Sequence, residues 1–291
     1  MTFNPSPVPQ NNLTQLLLGI NQGGADSSLS LTVIDDYQAP APDSLTVIDN
    51  SILIGQLTPP YQYNDVLPAL TFTNSTNVVT CTYTTALDNL TALTCEAWVY
   101  CTSLPTAGNV SYVLDRSNDN TVGFWLYLQS SGAVTLGVCN GTTNAQLGGG
   151  TLTTGAWHHV AGSYDGAQLR VFLDGILAGT QAQAGFITGT DAGRALLLGN
   201  KTTGTQALTG TLACPRVSTI CRYTSTFTPS AIPFIPDSYT GALYLLAENA
   251  GTTTADWGPN QSNGTLAGAT LPLWTANGIV AHARWGYAQW A

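Results

Sequence analysis

The run from residue 156 to residue 175 constrains the fold most. It reads Ala-Trp-His-His-Val-Ala-Gly-Ser-Tyr-Asp-Gly-Ala-Gln-Leu-Arg-Val-Phe-Leu-Asp-Gly. Strand side chains alternate between two faces, so His158, Val160 and Gly162 share one face while His159, Ala161 and Ser163 share the other. Asp165-Gly166 supplies the positive-φ residue that a tight hairpin needs. Leu169, Val171 and Leu173 then alternate with Arg170 and Phe172, and Asp174-Gly175 turns the chain again. A hairpin followed by a second turn is the unit of an antiparallel sheet.

Other stretches extend the pattern. Phe124–Leu128 and Val134–Val138 read as a strand pair around Ser130-Ser131-Gly132. Asp115 to Asn120 reads as a polar turn, and Gly148-Gly149-Gly150 as a flexible loop ahead of Trp157. Trp98, Trp125 and Trp157 are expected as core aromatics rather than as platforms for sugar rings.

Trp157-His158-His159-Val160-Ala161, with Tyr164-Asp165-Gly166 and Leu173-Asp174-Gly175, resembles the central hairpins of laminin-G-like, concanavalin-A-type jelly rolls. Ala69 to Ser75 is similar to the opening strand of that family, and Leu93 to Val99 to its next strand. Leu196-Leu197-Leu198-Gly199 and Gly210-Thr211-Leu212 fit its closing strands. The join from Arg222 through Pro236-Asp237 to Leu246 is similar to one in bacteriophage proteins that carry such modules. Asp256 to Leu266 matches a loop-and-strand motif found beside them. The resemblance implies an all-β fold: a two-sheet antiparallel jelly-roll sandwich (concanavalin A-like) over residues 67–275; the extended N-terminal arm over 1–66 and the aromatic tail over 276–291 lie outside it. It implies little about function, because one fold hosts many.

The arm reads differently from the sandwich. Pro5, Pro7 and Pro9 disfavour regular structure. Asn12 to Ile20 has the apolar spacing of a short helix. Ser30-Leu31-Thr32-Val33-Ile34-Asp35-Asp36 returns, offset by 14 residues, as Ser44-Leu45-Thr46-Val47-Ile48-Asp49-Asn50. Each copy alternates as a strand, suited to joining neighbouring sheets or subunits. A third apolar run covers Ser51 to Leu57. The arm is expected to anchor the chain to a partner. The tail, Trp285-Gly286-Tyr287-Ala288-Gln289-Trp290, is expected to be docked.

Composition excludes several partners. Of 291 residues only 8% are charged, the net charge is -9, and Lys201 is the single lysine. Neutralising phosphates takes clustered Lys and Arg, so nucleic acid is excluded, as is an anionic membrane surface. No apolar run reaches the roughly 20 residues of a spanning helix. Met1 to Gln22 lacks the basic start of a signal peptide. The expected life history is synthesis in a host cytoplasm and release by lysis. The six cysteines (Cys81, Cys95, Cys101, Cys139, Cys214, Cys221) show no zinc spacing. They read as buried thiols, with disulfides formed after release as the alternative; Cys214 and Cys221 differ in parity and would need a bend between them.

Catalytic chemistry finds little support. A glycosidase needs two carboxylates about 5–5.5 Å apart when retaining, and the chain has only two glutamates, Glu96 and Glu248. Glu96 lies inside a strand motif and reads as structural. His158, His159 and His282 could enter a Ser-His-Asp site on paper, but adjacent strand histidines point to opposite faces and no Gly-x-Ser-x-Gly elbow exists. No catalytic residue is assigned, and no cofactor is expected with one candidate exception. Calcium takes six to eight oxygens, and Asp115, Asp119 and Asn120 form the best local cluster for it. Asp165 and Asp174 belong to their turns.

The expected function is a non-enzymatic virion protein of a tailed phage, displayed at the particle surface as decoration. The arm would bind other virion proteins, the protein would form homo-oligomers, and a host-surface glycan is a possible ligand. The alternative is a tail-fibre or adhesin module devoted to receptor carbohydrate. A polysaccharide-degrading enzyme would require two carboxylates to meet in a cleft.

Overall fold

The computed structural model describes residues 29–32, 44–47, 66–117, 122–139, 142–185, 187, 193–201, 206–230 and 232–280. The chain divides into two compact units, Met1–Gln62 and Tyr63–Ala291. In the first, β1 (Leu29–Thr32) and β2 (Ser44–Val47) form an antiparallel pair with Leu31 opposite Leu45 and Ser30 opposite Thr46. The two sequence copies are strands as expected, but they pair with one another instead of each seeking a separate sheet. Identical alternation in both copies makes them self-complementary in an antiparallel ladder. The helix expected over 12–20 and the third run over 51–57 lie outside the described residues.

The second unit holds the remaining strands. First come β3 (Val66–Phe72), β4 (Val78–Cys81), β5 (Leu93–Cys101), β6 (Val110–Ser117), β7 (Gly123–Gln129) and β8 (Val134–Cys139). Then follow β9 (Asn144–Gly149), β10 (Trp157–Tyr164), β11 (Gln168–Leu173), β12 (Ile176–Ala182), β13 (Leu197–Leu198) and β14 (Gly210–Ser218). Last are β15 (Thr240–Leu243), β16 (Thr253–Thr254), β17 (Gly264–Ala267) and β18 (Leu273–Val280). One sheet runs β12-β11-β10-β5-β14-β3-β18, with β15 also on β14; the other runs β16-β17-β4-β13-β6-β7-β8-β9. Strand pairing is antiparallel throughout both sheets. The described residues include no α-helix. The fold is the expected sandwich.

Alternation builds the core. On β5, Leu93, Cys95, Ala97, Val99 and Cys101 enter the shared interior, while Thr94, Glu96, Trp98 and Tyr100 take the opposite face. Phe124, Leu126 and Leu128 of β7, and Leu136 of β8, meet them from the other sheet. Each such side chain contributes about 1.5–3 kcal/mol on burial. A Cβ on Gly162 would come within 2.7 Å of the Leu136 Cβ, so a glycine is required where β10 and β8 approach.

Expectations change at three places. Trp125 is fully buried as expected, but none of the three tryptophans lies between the two sheets. Trp98 and Trp157 pack outside the first sheet and Trp125 outside the second, because each has the parity opposite to its strand's inward residues. Gly148 and Gly149 belong to β9 rather than to a loop. Asp115 to Ser117 complete β6 rather than starting a turn, since Ser117 Oγ donates to Asp115 Oδ1 at 2.6 Å and satisfies the buried carboxylate. Strand β14 is irregular at Cys214. Cys214 has φ +50° and precedes Pro215, and the ladder from β14 to β5 slips between Ala213 and Arg216. A bulge is where a central strand tolerates proline.

Candidate functional site

The outer faces of the two sheets hold the polar constellations. On the first, even-numbered β5 residues point outward, and register sets Arg216 of β14 opposite Glu96. Glu96 is fully buried. Its Oε1 accepts from Arg216 Nε at 2.8 Å and Nη2 at 2.7 Å; its Oε2 accepts from the Tyr223 hydroxyl at 2.8 Å and lies 3.1 Å from His159 Nε2. A carboxylate flanked this way accepts only, so His159 carries its proton on Nε2. Its Nδ1 has no partner among the described residues and faces a wall of Trp98, Phe227 and Phe234, with ring centroids 5.4, 5.8 and 6.1 Å away. Burial pushes the Glu96 carboxyl up, but the His159 hydrogen bond and the Arg216 charge outweigh it and hold the group below its ordinary range. Burial and the Glu96 charge push the Tyr223 phenol well up.

This cluster lies under the segment that leaves β14. Tyr223 stacks on Phe227 with centroids 3.6 Å apart, and Phe227 meets Phe172 at 5.3 Å. Ser163 Oγ donates to Tyr223 O at 2.6 Å, and Phe227 N donates to Gly175 O at 2.9 Å. Arg222 grips Asp237 through two bonds of 2.8 and 2.7 Å, which hold that carboxyl far below its usual range. The Arg216 guanidinium sits 4.4 Å over the Phe234 ring. Both Glu96 oxygens are bonded within the protein and Asp237 is held by Arg222, so the cluster works as a clasp rather than as an acid or base.

The histidines separate as expected. His158 Nδ1 lies 2.8 Å from Asp174 Oδ2 and its Nε2 2.9 Å from Thr153 Oγ1. Asp174 also accepts from the His159 backbone N–H at 2.9 Å, so this turn residue locks both strands. Asp165 accepts from Ala167 N, Gln168 N and Arg170, as its turn requires. Glu248 accepts from Thr254 and Ala255, a loop contact. Burial pushes the Cys81 and Cys214 thiols up to about 12 and Cys101 to about 11, so they stay protonated at neutral pH. Cys81, Cys95, Cys101, Cys214 and Cys221 carry free thiols.

The outer face of the second sheet is different in kind. Register aligns Asp115, Trp125, Gly137 and Gln146 in one row and Tyr112, Tyr127, Thr135 and Gly148 in the next. A Cβ on Gly137 would lie 1.9 Å from Trp125 Cε2 and 2.1 Å from its Nε1, so the indole fills the space above that glycine. Trp125 is fully buried and its Nε1 has no hydrogen-bond partner among the described residues. An unsatisfied buried donor costs about 1–3 kcal/mol. Tyr127 donates to Gln146 Oε1 at 2.7 Å, and Gln129 Nε2 donates to Thr135 Oγ1 at 2.9 Å. Tyr112 and Tyr127 pack at 5.5 Å, with Lys201 Nζ 5.9 Å over the Tyr112 ring on the far side. Asn144, Gln146 and Gly148 on edge strand β9 are exposed. From position 120 to position 164 the chain has no Asp, Glu, Lys or Arg. The rings of Tyr112, Trp125 and Tyr127 are themselves buried.

Of the calcium candidates, Asp115 is buried on β6 between Leu197 and Trp125 in its row. Asp119 and Asn120 lie outside the described residues. Among the described residues no three His, Cys, Asp or Glu side chains come together as a metal-binding group. The clasp residues Arg216 and Tyr223 and the row of Trp125 with Gln146 were not singled out by sequence. Outward parity at Glu96 and Trp125 was the available signal.

Residues 73–225 match a family model described as the concanavalin A-like lectin/glucanases superfamily, of the laminin G type. Among solved structures, a candidate carbohydrate-binding protein from Bacteroides ovatus aligns with TM-score 0.53 and 15% identity over 72% of this chain. The alignment spans 62% of that protein's length. The CBM40 of the Ruminococcus gnavus IT-sialidase, bound to α2,3-sialyllactose, aligns with TM-score 0.41 and 19% identity over 55% of this chain and 94% of its own. Domains LG4-5 of the mouse laminin α1 chain align with TM-score 0.41 and 13% identity over 57% of this chain and 47% of theirs. A comparison with curated proteins returned no match.

Proposed function

The chain belongs to the concanavalin A-like lectin/glucanases superfamily, and from that premise we propose that it is a non-catalytic carbohydrate-recognition module. The observation that carries the proposal is edge strand β9, where Asn144, Gln146 and Gly148 are exposed on a stretch of sheet, β7–β9, that holds no charged residue. Sugar hydroxyls are the complement of such neutral donors and acceptors. The description of the Bacteroides ovatus protein supports the same direction. Catalysis is disfavoured because Glu96 is buried and bonded on both oxygens to Arg216, Tyr223 and His159. The test is binding of the whole protein to an immobilised panel of glycans, with turnover of the same glycans followed by chromatography. Binding without cleavage is the expected result; cleavage would overturn the non-catalytic reading, and no binding would overturn carbohydrate recognition.

We place this module, as a finer proposal, on the surface of a tailed-phage particle, held by residues 1–66 to other virion proteins. Decoration is the first role and host-receptor binding the second. Support comes from the phage-like join over 222–246 and the repeated apolar strands. Deleting residues 1–62 should abolish association with particles lacking the protein; retained association would remove the anchor.

A further inference from the structure

We infer that Thr153 is a covalent modification site: a surface hydroxyl that His158 activates to take the acyl group of a carboxylic ester. The inference goes beyond the carbohydrate reading and does not rest on it, because the bond that breaks is an ester bond and not a glycosidic one.

Three side chains stand in line beside the turn that joins β11 to β12. The Thr153 hydroxyl lies 2.9 Å from His158 Nε2, and His158 Nδ1 lies 2.8 Å from Asp174 Oδ2. An ionised carboxylate only accepts hydrogen bonds, so Asp174 calls for the ring proton on Nδ1. Nε2 of the neutral ring is then a lone pair, and the Thr153 hydroxyl is the donor to it. A hydroxyl paired with a base that a third group orients is the arrangement of an activated nucleophile. The backbone fixes the third group. Asp174 Oδ1 accepts from the His159 N–H at 2.9 Å, the Asp174 N–H donates to His159 O at 2.8 Å, and the residue holds φ +52°. Asp174 is thus a positioning residue whose second oxygen is aimed at the imidazole. The loop that carries Thr153 is pinned on both sides: the Leu152 N–H donates to Gly132 O at 2.8 Å and the Gly155 N–H to Cys101 O at 2.9 Å. Nucleophile, base and carboxylate therefore come from separately anchored segments.

Access separates this line from the clasp. Thr153, Thr154, Gly155 and Ala156 are exposed, and the His158 and Asp174 side chains keep 14% and 46% of their surface open. The neighbouring His159 has no such freedom, since its Nε2 proton is directed at buried Glu96. In the reaction, Thr153 Oγ attacks the ester carbonyl carbon and forms a new O–C bond while its proton passes to His158 Nε2. The tetrahedral intermediate collapses by breaking the bond to the leaving oxygen, which takes the proton back from Nε2. The products are an acylated Thr153 and a free alcohol or phenol, with His158 in its starting tautomer. A site at the surface selects its donor by reactivity, so aryl esters are the class that fits.

The experiment incubates the full chain with p-nitrophenyl acetate at neutral pH and follows acetylation of each peptide by mass spectrometry. Thr153 should carry an acetyl group, Thr153→Ser should keep the label at that position, and Thr153→Val should lose it. His158→Gln can still bond to Asp174 and Thr153 but cannot take the proton. It should slow labelling of Thr153 about 100-fold, the low end of general-base effects, with an unchanged thermal midpoint. Asp174→Asn suits the same left-handed backbone but turns an amide N–H toward Nδ1, which moves the ring proton to Nε2; labelling should fall here as well. That variant supplies the comparison if His158→Gln melts early. Wild-type protein without label on Thr153, or a rate that neither the His158 nor the Asp174 variant slows, overturns the inference and leaves the line as a lock on the turn.

Discussion

The two outer sheet faces use opposite chemistry. The first face is charged and closed. Glu96 pairs with Arg216 and Arg222 with Asp237 beneath the segment that leaves β14, although among the described residues Trp98 Nε1 and His159 Nδ1 have no hydrogen-bond partner. The second face is uncharged where β7–β9 cross it, and its edge strand β9 exposes Asn144 and Gln146. The difference teaches where to look for function. A paired ionic network specifies structure, whereas exposed amides on a neutral edge strand are open to a ligand.

The comparison can be broken from either side. The largest effect is expected from Glu96→Gln. It leaves Arg216 buried without its counter-charge, and breaking a buried pair in this way costs about 3–5 kcal/mol. Urea unfolding should register that loss, while glycan binding measured under folded conditions stays at the wild-type level. Unchanged stability would mean that the clasp does not hold the first face together. Next comes Gly137→Ala. The new methyl would displace the Trp125 indole, and overpacking of this kind costs about 1–3 kcal/mol. Thermal melts should register the loss; an unchanged midpoint would mean that the indole shifts without cost.

Acid should act on the first face alone. Glu96, Asp165 and Asp237 are all held below their ordinary carboxyl ranges. A depressed carboxyl lends stability above its unfolded value, about pH 4, and that contribution is lost as pH falls through the folded value. Thermal melts should therefore show a steady decline below about pH 4, and the decline should flatten in Glu96→Gln. A melt profile identical in both proteins would take Glu96 out of the acid response. The smallest effect on stability belongs to Gln146→Ala, an exposed surface change expected to stay within about 0.5 kcal/mol. Paired with weakened glycan binding, it would mark the second face as the functional one.

Much of the architecture was legible. The alternation in residues 156–175 and its two Asp-Gly turns read directly as β10, β11 and their turns. The opposite facing of His158 and His159 followed from parity. Parity was not applied to the tryptophans, which therefore read as core although Trp98 and Trp125 alternate with inward residues. The Gly148-Gly149 pair read as loop because local propensity cannot see that β8 offers it a ladder. The two arm copies read as strands, but strand identity does not name a partner, and each found the other.

By itself the sequence determined the class of fold, the hairpin at its centre and the inward or outward facing of each strand residue. Those follow from the period of the strand and the geometry of short turns, which are local. Only the tertiary structure decided what the outward residues do. Glu96 meets Arg216 across 120 positions and Tyr223 across 127, and Trp125 meets Gly137 through a ladder. Register between distant strands depends on the whole ladder and on which segments cover a face. The alternation that marks Glu96 and Trp125 alike as outward therefore cannot tell a closed clasp from an open edge.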